Sequence, residues 1–214
     1  MTNHNCICAH PDHAILEFYR GYFDTVYIAL SPFQQVTTGQ THLKYVSWEE
    51  VIRLTGFSDI NQLDVALRSA IYGLNDTRKN DYDANHLKAV CDANNLLIPG
   101  EGYFQDSIKD EMLLSLQEQG HHYMFVGDEH GLERKAVFIQ DMIDGTATVE
   151  LEYAGHENWY TTKHEILYTT HWDSFYTLLC SNRQTVDSIL ENHRFEGFYC
   201  DDKTTIYWSL GDIR

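Results

Sequence analysis

The residues best suited to chemistry stand at the start of the chain. The stretch NHNCICAHPDH, residues 3–13, holds His4, Cys6, Cys8, His10 and His13. Zinc takes about four Cys or His ligands converging in a tetrahedron, which makes Cys6, Cys8, His10 and His13 the candidate ligand set for zinc or another soft metal. One residue separates Cys6 from Cys8, whereas a common zinc knuckle uses two or more. In an extended strand, residues two apart share a face, so both thiolates can meet one ion. His10 precedes Pro11, which biases it toward extended backbone, and His13 falls in the helix expected after it. The competing reading is a frayed chain start, residues 1–13, with no fixed structure. The loose spacing favours that reading over a metal site.

A second polar group lies in HHYMFVGDEHG, residues 121–131. Neighbouring strand residues point to opposite faces, so His121 and His122 do not readily serve one ion together. Asp128, Glu129 and His130 read as a surface turn between strands. With His121 they are the candidates for acid–base work, provided His164 or His171 is brought near them by the fold.

The usual signatures of assembled catalytic sites are missing. There is no G-x-S-x-G elbow, P-loop, G-x-G-x-x-G or H-E-x-x-H. The segment Leu54–Ala70 has the outline of a helix-turn-helix, but between Ser58 and Leu74 Arg68 is its single basic residue, and Asp59 and Asp64 would face a polyanion. Two core helices at an angle are expected instead. The formal charge of −17 at pH 7 repels nucleic acid and anionic membranes and attracts a basic partner. No apolar run approaches the roughly 20 residues of a membrane span, and the start lacks a secretory pattern. Five cysteines, an odd number, argue against a disulfide framework. A cytoplasmic protein is expected.

The elements that must position these residues divide near Gly120. Before it, Pro11 opens a short helix through Phe18, and TVYIALSPF reads as a strand ending at Pro32. Ser47 and Glu50 form a capping box for a helix ending by Gly56. Ile60, Leu63, Leu67, Ala70, Ile71 and Leu74 make one apolar helical stripe, with Asp64 and Arg68 pairing weakly on another face. Further helices are expected over 82–94 and 107–119. After Gly120, strands are expected at HHYMFVGD, on both sides of a tight turn at Asp144-Gly145, at YTTKHEILYTT and at FYTLLCS. Ser181 and Gln184 offer a second capping box. FEGFYC and TTIYWSL close the chain as a hairpin around Asp201-Asp202-Lys203. The prediction is a single α+β domain over residues 1–214, with a tail over 1–13, a helix-rich part over 14–119 and a strand-rich part over 120–214, the helices packed on a mostly antiparallel sheet.

Five stretches in order, SPFQQ (Ser31–Gln35), WEEV (Trp48–Val51), ALRSAIYGL (Ala66–Leu74), DSFYTLLC (Asp173–Cys180) and CDDKTTIYW (Cys200–Trp208), resemble an uncharacterised Gram-positive bacterial family, the domain-of-unknown-function family twenty-seven-eleven. The resemblance runs from about Ile28 to the C-terminus. It implies a bacterial cytosolic protein and one cohesive domain, and it brings no activity or catalytic residues. The opening Cys/His stretch lies outside it.

Missing signatures and strong acidity together lead to an expected non-enzymatic binding protein, of the immunity or inhibitor type, for a basic partner, without a cofactor. The alternative is a metal-dependent hydrolase using the Cys/His ligands, with zinc to activate water. A pocket for a small molecule between helices and sheet would leave no motif.

Overall fold

TVYIAL and YTLLCS lack the apolar–polar alternation of a half-wet strand, and both are buried along their whole length because each face of their sheet is covered. The computed structural model describes residues 4–36, 44–152 and 155–210. In chain order its helices are α1 (Ile15–Phe18), α2 (Trp48–Thr55), α3 (Ile60–Ala70), α4 (Asp81–Asn94), α5 (Asp106–Glu118), α6 (Ile139–Ile143) and α7 (Arg183–Asn192). Its strands are β1 (Thr25–Leu30), β2 (Phe33–Gln35), β3 (Lys44–Val46), β4 (Leu96–Leu97), β5 (Tyr123–Gly127), β6 (Arg134–Phe138), β7 (Asn158–Thr161), β8 (Leu167–Thr169), β9 (Tyr176–Ser181) and β10 (Gly197–Tyr199). No helix among the described residues is long and apolar enough to cross a membrane.

Seven strands form one antiparallel sheet in the order β10-β1-β9-β8-β7-β5-β6, and β3-β2-β4 make a small second sheet. The chain is α+β, with α2–α5 in mid-chain. Although β1 comes from the first half, it lies inside the main sheet, between β10 and β9. Side chains alternate across the sheet. Val26, Ile28, Leu30, Leu178 and Cys180 pack with α1–α4, whereas Tyr27, Ala29, Leu179, Met124 and Trp159 pack with α5–α7. Two helical layers thus enclose the sheet, each with its own apolar core.

Local chemistry explains the helix ends. Ser47 Oγ accepts from Glu50 N at 3.2 Å, but the return half of the capping box is missing because the Glu50 carboxylate binds Arg53. The carboxylate of distant Glu196 takes the Trp48 and Glu49 N–H groups instead, at 2.7 and 2.8 Å. At the other end, Gly56 adopts φ +71, the left-handed conformation glycine tolerates at a helix end. The α7 cap is Asn182, not Ser181, which belongs to β9.

Four other expectations change. The helix expected from Pro11 shrinks to α1, since residues 6–9 pack against the core and Ile15 N bonds Thr204 O at 2.8 Å. Asp144-Gly145 ends α6 instead of turning a hairpin: Thr146 and Ala147 N–H groups bond the Asp141 carbonyl, and residues 146–152 form no strand. YTTKHEILYTT supplies the end of β7, a turn at 162–166 and β8. TTIYWSL is not a strand, because it crosses α3, where Arg68 takes the Ile206 carbonyl and Ser209 Oγ donates to Asp64 at 2.6 Å.

Candidate functional site

The sheet edge at Gly127, Asn158 and Thr169 carries two loops. Residues 128–133 join β5 to β6, and 170–175 join β8 to β9. The chain start, Ile7–Pro11, lies across them, held by Tyr19 Oη donating to the Ile7 carbonyl at 2.9 Å. Between these segments is a cavity of about 350 Å³, within the usual range for small-molecule sites, roughly 300–1,000 Å³. Its chemistry-bearing lining residues are Cys8, His10, Glu129, His130, His156 and His171, with Trp172 half exposed beside them.

The second loop builds the fixed end of the site. Ser174 N donates to the His171 carbonyl at 3.0 Å and closes a tight turn, and Ser174 Oγ accepts from His171 N at 3.2 Å. That turn brings His171 Nδ1 to 2.5 Å from Asp173 Oδ1. Facing a carboxylate, Nδ1 carries the hydrogen, which leaves Nε2 as the lone-pair nitrogen of the neutral ring. Asp173 is completely buried. Burial alone would push its carboxyl up; the His171 hydrogen bond, the Arg68 charge and the Tyr207 hydroxyl outweigh it and hold the carboxyl below the usual range.

Behind Asp173 lies Arg68, also fully buried. Its guanidinium bonds Asp64 at 2.8 Å, the Asp173 carbonyl at 3.1 Å and the Ile206 carbonyl at 3.1 Å, with the Tyr207 ring 5.0 Å from its carbon. The expected weak surface pair of Asp64 and Arg68 is therefore a buried ion pair. Two carboxylates flank one guanidinium, and one of them, Asp173, also meets the His171 ring. This network draws together ALRSAIYGL, DSFYTLLC and CDDKTTIYW, while Trp48 Nε1 joins WEEV to the Ser31 carbonyl of SPFQQ at 2.7 Å.

Across the cavity Glu129 stands between two imidazoles, 3.0 Å from His130 Nε2 and 3.6 Å from His156 Nε2. His156 Nδ1 donates to the Gly102 carbonyl. Gly102 has φ +75, and a Cβ there would collide with the Trp172 carbonyl, so glycine alone lets this loop reach the site. Asp128 is buried beneath, where burial raises its carboxyl but the backbone N–H groups of Glu133, Leu132, His130 and Gly131 lower it further. It shapes the loop and does not face the cavity.

The remaining predicted residues fall elsewhere. His121 sits before the opposite end of β5, roughly 20 Å from Asp128 by strand rise, 4.0 Å from Glu165, and burial lowers its pKa. His164 stacks on Tyr160. His13 is exposed beside His10. Cys6 is buried near Gly131, and burial raises its thiol despite Arg134. Burial also pushes Cys8 up to about 12, against a hydrogen bond with Thr169. Neither is a ready thiolate. Among the described residues no three His, Cys, Asp or Glu side chains converge as metal ligands would.

The cavity thus joins part of the N-terminal cluster, Cys8 and His10, with Glu129 and His130, and adds His156, His171 and Trp172, with Asp173 buried behind His171. The His-x-Asp spacing of 171–173 was the one local signal for the buried pair.

A family model described as "Protein of unknown function (DUF2711)" matches residues 11–210. No curated protein and no solved structure matches the chain.

Proposed function

The chain belongs to the DUF2711 family, and from that premise we propose that it binds a small planar molecule carrying a neutral or basic polar group, on which His171 accepts or donates a proton. The observation that carries this reading is the His171–Asp173 contact of 2.5 Å at the wall of a cavity of about 350 Å³. A buried carboxylate fixes the tautomer and direction of an imidazole, the arrangement general acid–base work requires. The half-exposed Trp172 ring, 5.6 Å from that of His171, offers a flat contact surface. Among the described residues no lysine or arginine lines this cavity, whereas Glu129 does and Asp173 lies behind it. That balance disfavours an anion. A cytoplasmic setting fits five cysteines without a disulfide.

The test is ligand-observed NMR with a library of aromatic amines, amides, nitrogen heterocycles and aromatic acids. Neutral and basic members should bind and lose binding in Trp172→Ala and His171→Phe. Preferential binding of the acids, or no binding that depends on Trp172, sinks the reading.

The acidity supports a second reading, an immunity-type inhibitor of a basic partner. Glu111, Glu191 and Glu196 line another groove, of about 1030 Å³. Two of the three already serve the fold: Glu111 faces His193 and Glu196 caps α2. Co-purification of a basic protein, dependent on Glu191, would raise this reading above the first. A metal-dependent hydrolase ranks third, since the N-terminal thiols have different surroundings.

A further inference from the structure

A second cavity, of about 900 Å³, shares Pro11 with the first but has a different wall, with Arg78, Lys203, Thr205 and Trp208 among its lining residues. We propose that it is a binding site for a small molecule bearing one oxyanion, a phosphate or carboxylate group, with Arg78 and Lys203 as its counter-charges.

Three observations converge. First, among the described residues neither Arg78 nor Lys203 has a carboxylate within ion-pair distance, in a chain with 32 acidic and 15 basic side chains. Neither cation of this wall is locked into an ion pair, although the Lys203 charge acts on nearby Asp201. Second, the acidic residues of the same wall are engaged. Asp201 Oδ1 accepts from Lys203 N, Thr204 N and Thr204 Oγ1 at 3.0, 2.8 and 2.7 Å, and Asp12 lies 3.5 Å from His10. They limit the guest to a small anion, since a polyanion would meet them. Third, among the described residues the Trp208 indole N–H is enclosed and has no acceptor. Folded proteins rarely leave such a donor unpaired; the ring itself lines the cavity, and a rotation that uncovers Nε1 would let an oxyanion supply the missing acceptor. The Trp208 ring, edge-on to Phe198 at 4.9 Å, and Ile60 give the apolar part of a guest a surface.

Charge separates the two cavities: among the described residues the first is lined by one carboxylate and four imidazoles without Lys or Arg, and the second has both cations. Failure at one therefore leaves the other standing. The probes are inorganic phosphate, phenyl phosphate and succinate, titrated into ¹⁵N-labelled protein while the indole signals are followed, with Trp208→Phe assigning its own. The expected result is a saturable shift of the Trp208 signal, weakened about tenfold by Arg78→Gln and by Lys203→Gln, and untouched by Trp172→Ala. Preference for phenyl phosphate or for succinate identifies the head group. No saturable shift with any probe, or a shift that both charge variants retain, overturns the proposal.

Discussion

The Nδ1 of His171 lies 2.5 Å from Oδ1 of Asp173, two residues along the same turn. The other carboxylate oxygen accepts from Tyr207 Oη at 3.1 Å. One buried carboxylate thus touches a residue of each proposed cavity. In Asp173→Asn the amide would turn its oxygen to His171 or Tyr207, but not both, and the charge facing Arg68 would vanish. The expected outcome is a mixed His171 tautomer in ¹⁵N NMR and a stability loss of about 3–5 kcal/mol, the range for breaking a buried pair, read by urea denaturation. An unchanged tautomer would remove the positioning role given to Asp173.

Arg68 is the centre of the same network and reaches α3, the β8–β9 loop and the last described segment. Arg68→Gln leaves two buried carboxylates without their cation. It should cost about 3–5 kcal/mol or prevent folding. Adding Asp64→Asn to that variant should recover part of the loss, because one uncompensated charge goes with it. Arg53→Gln, which breaks an exposed pair with Glu50, should leave the denaturation midpoint in place.

Asp173 and Asp128 set the direction of the acid dependence. Both carboxyls are held below their ordinary range in the fold, although burial pushes each the other way. A lowered folded-state pKa adds stability that is fully present above the unfolded value of about 3.9 and is lost as pH falls through the folded value. Stability should therefore hold from neutral pH down to about pH 5 and decline progressively below about pH 4. In Asp128→Asn the decline should be shallower, since one of the two linked groups is gone. Urea midpoints at stepped pH check this; an equally steep decline in the variant would mean that other groups govern it.

Periodicity revealed the elements whose burial is one-sided or complete. The α3 stripe through Leu63 and Leu67, the strands β1 and β9 and the Gly56 helix end all follow from local pattern. Arg68 did not, because a helical wheel puts charged residues outside, and the carbonyls that enclose it come from distant segments, Asp173 in the β8–β9 loop and Ile206 where the chain crosses α3. Asp144-Gly145 has the composition of a hairpin turn, yet the Asp141 carbonyl captures the next two amides and ends a helix instead. The site was half legible. Glu129, His130, Cys8 and His10 drew notice by type, but their meeting depends on residues 7–11 folding back across two loops far away in sequence. His156 and Gly102 carry no local mark at all.

The clamp at His193 gives the last prediction. This ring is buried at the end of α7, with Nδ1 2.6 Å from Glu111 and Nε2 3.1 Å from Glu118, both on α5. Both ring nitrogens thus lie within hydrogen-bond distance of a carboxylate oxygen, so the ring bridges two turns of α5. Both glutamates are half exposed, which lets solvent screen the pair. His193→Gln offers a single amide group and cannot span both carboxylates. The expected cost is about 1–2 kcal/mol, charged hydrogen bonds discounted for that screening. Amide exchange should then quicken in the last turn of α7 and stay slow in β9, whose strand pairs lie on both sides. If α7 exchange and the denaturation midpoint both stay put, the contact does not fasten the two helices, and the apolar packing of Val186 and Ile189 holds α7 alone.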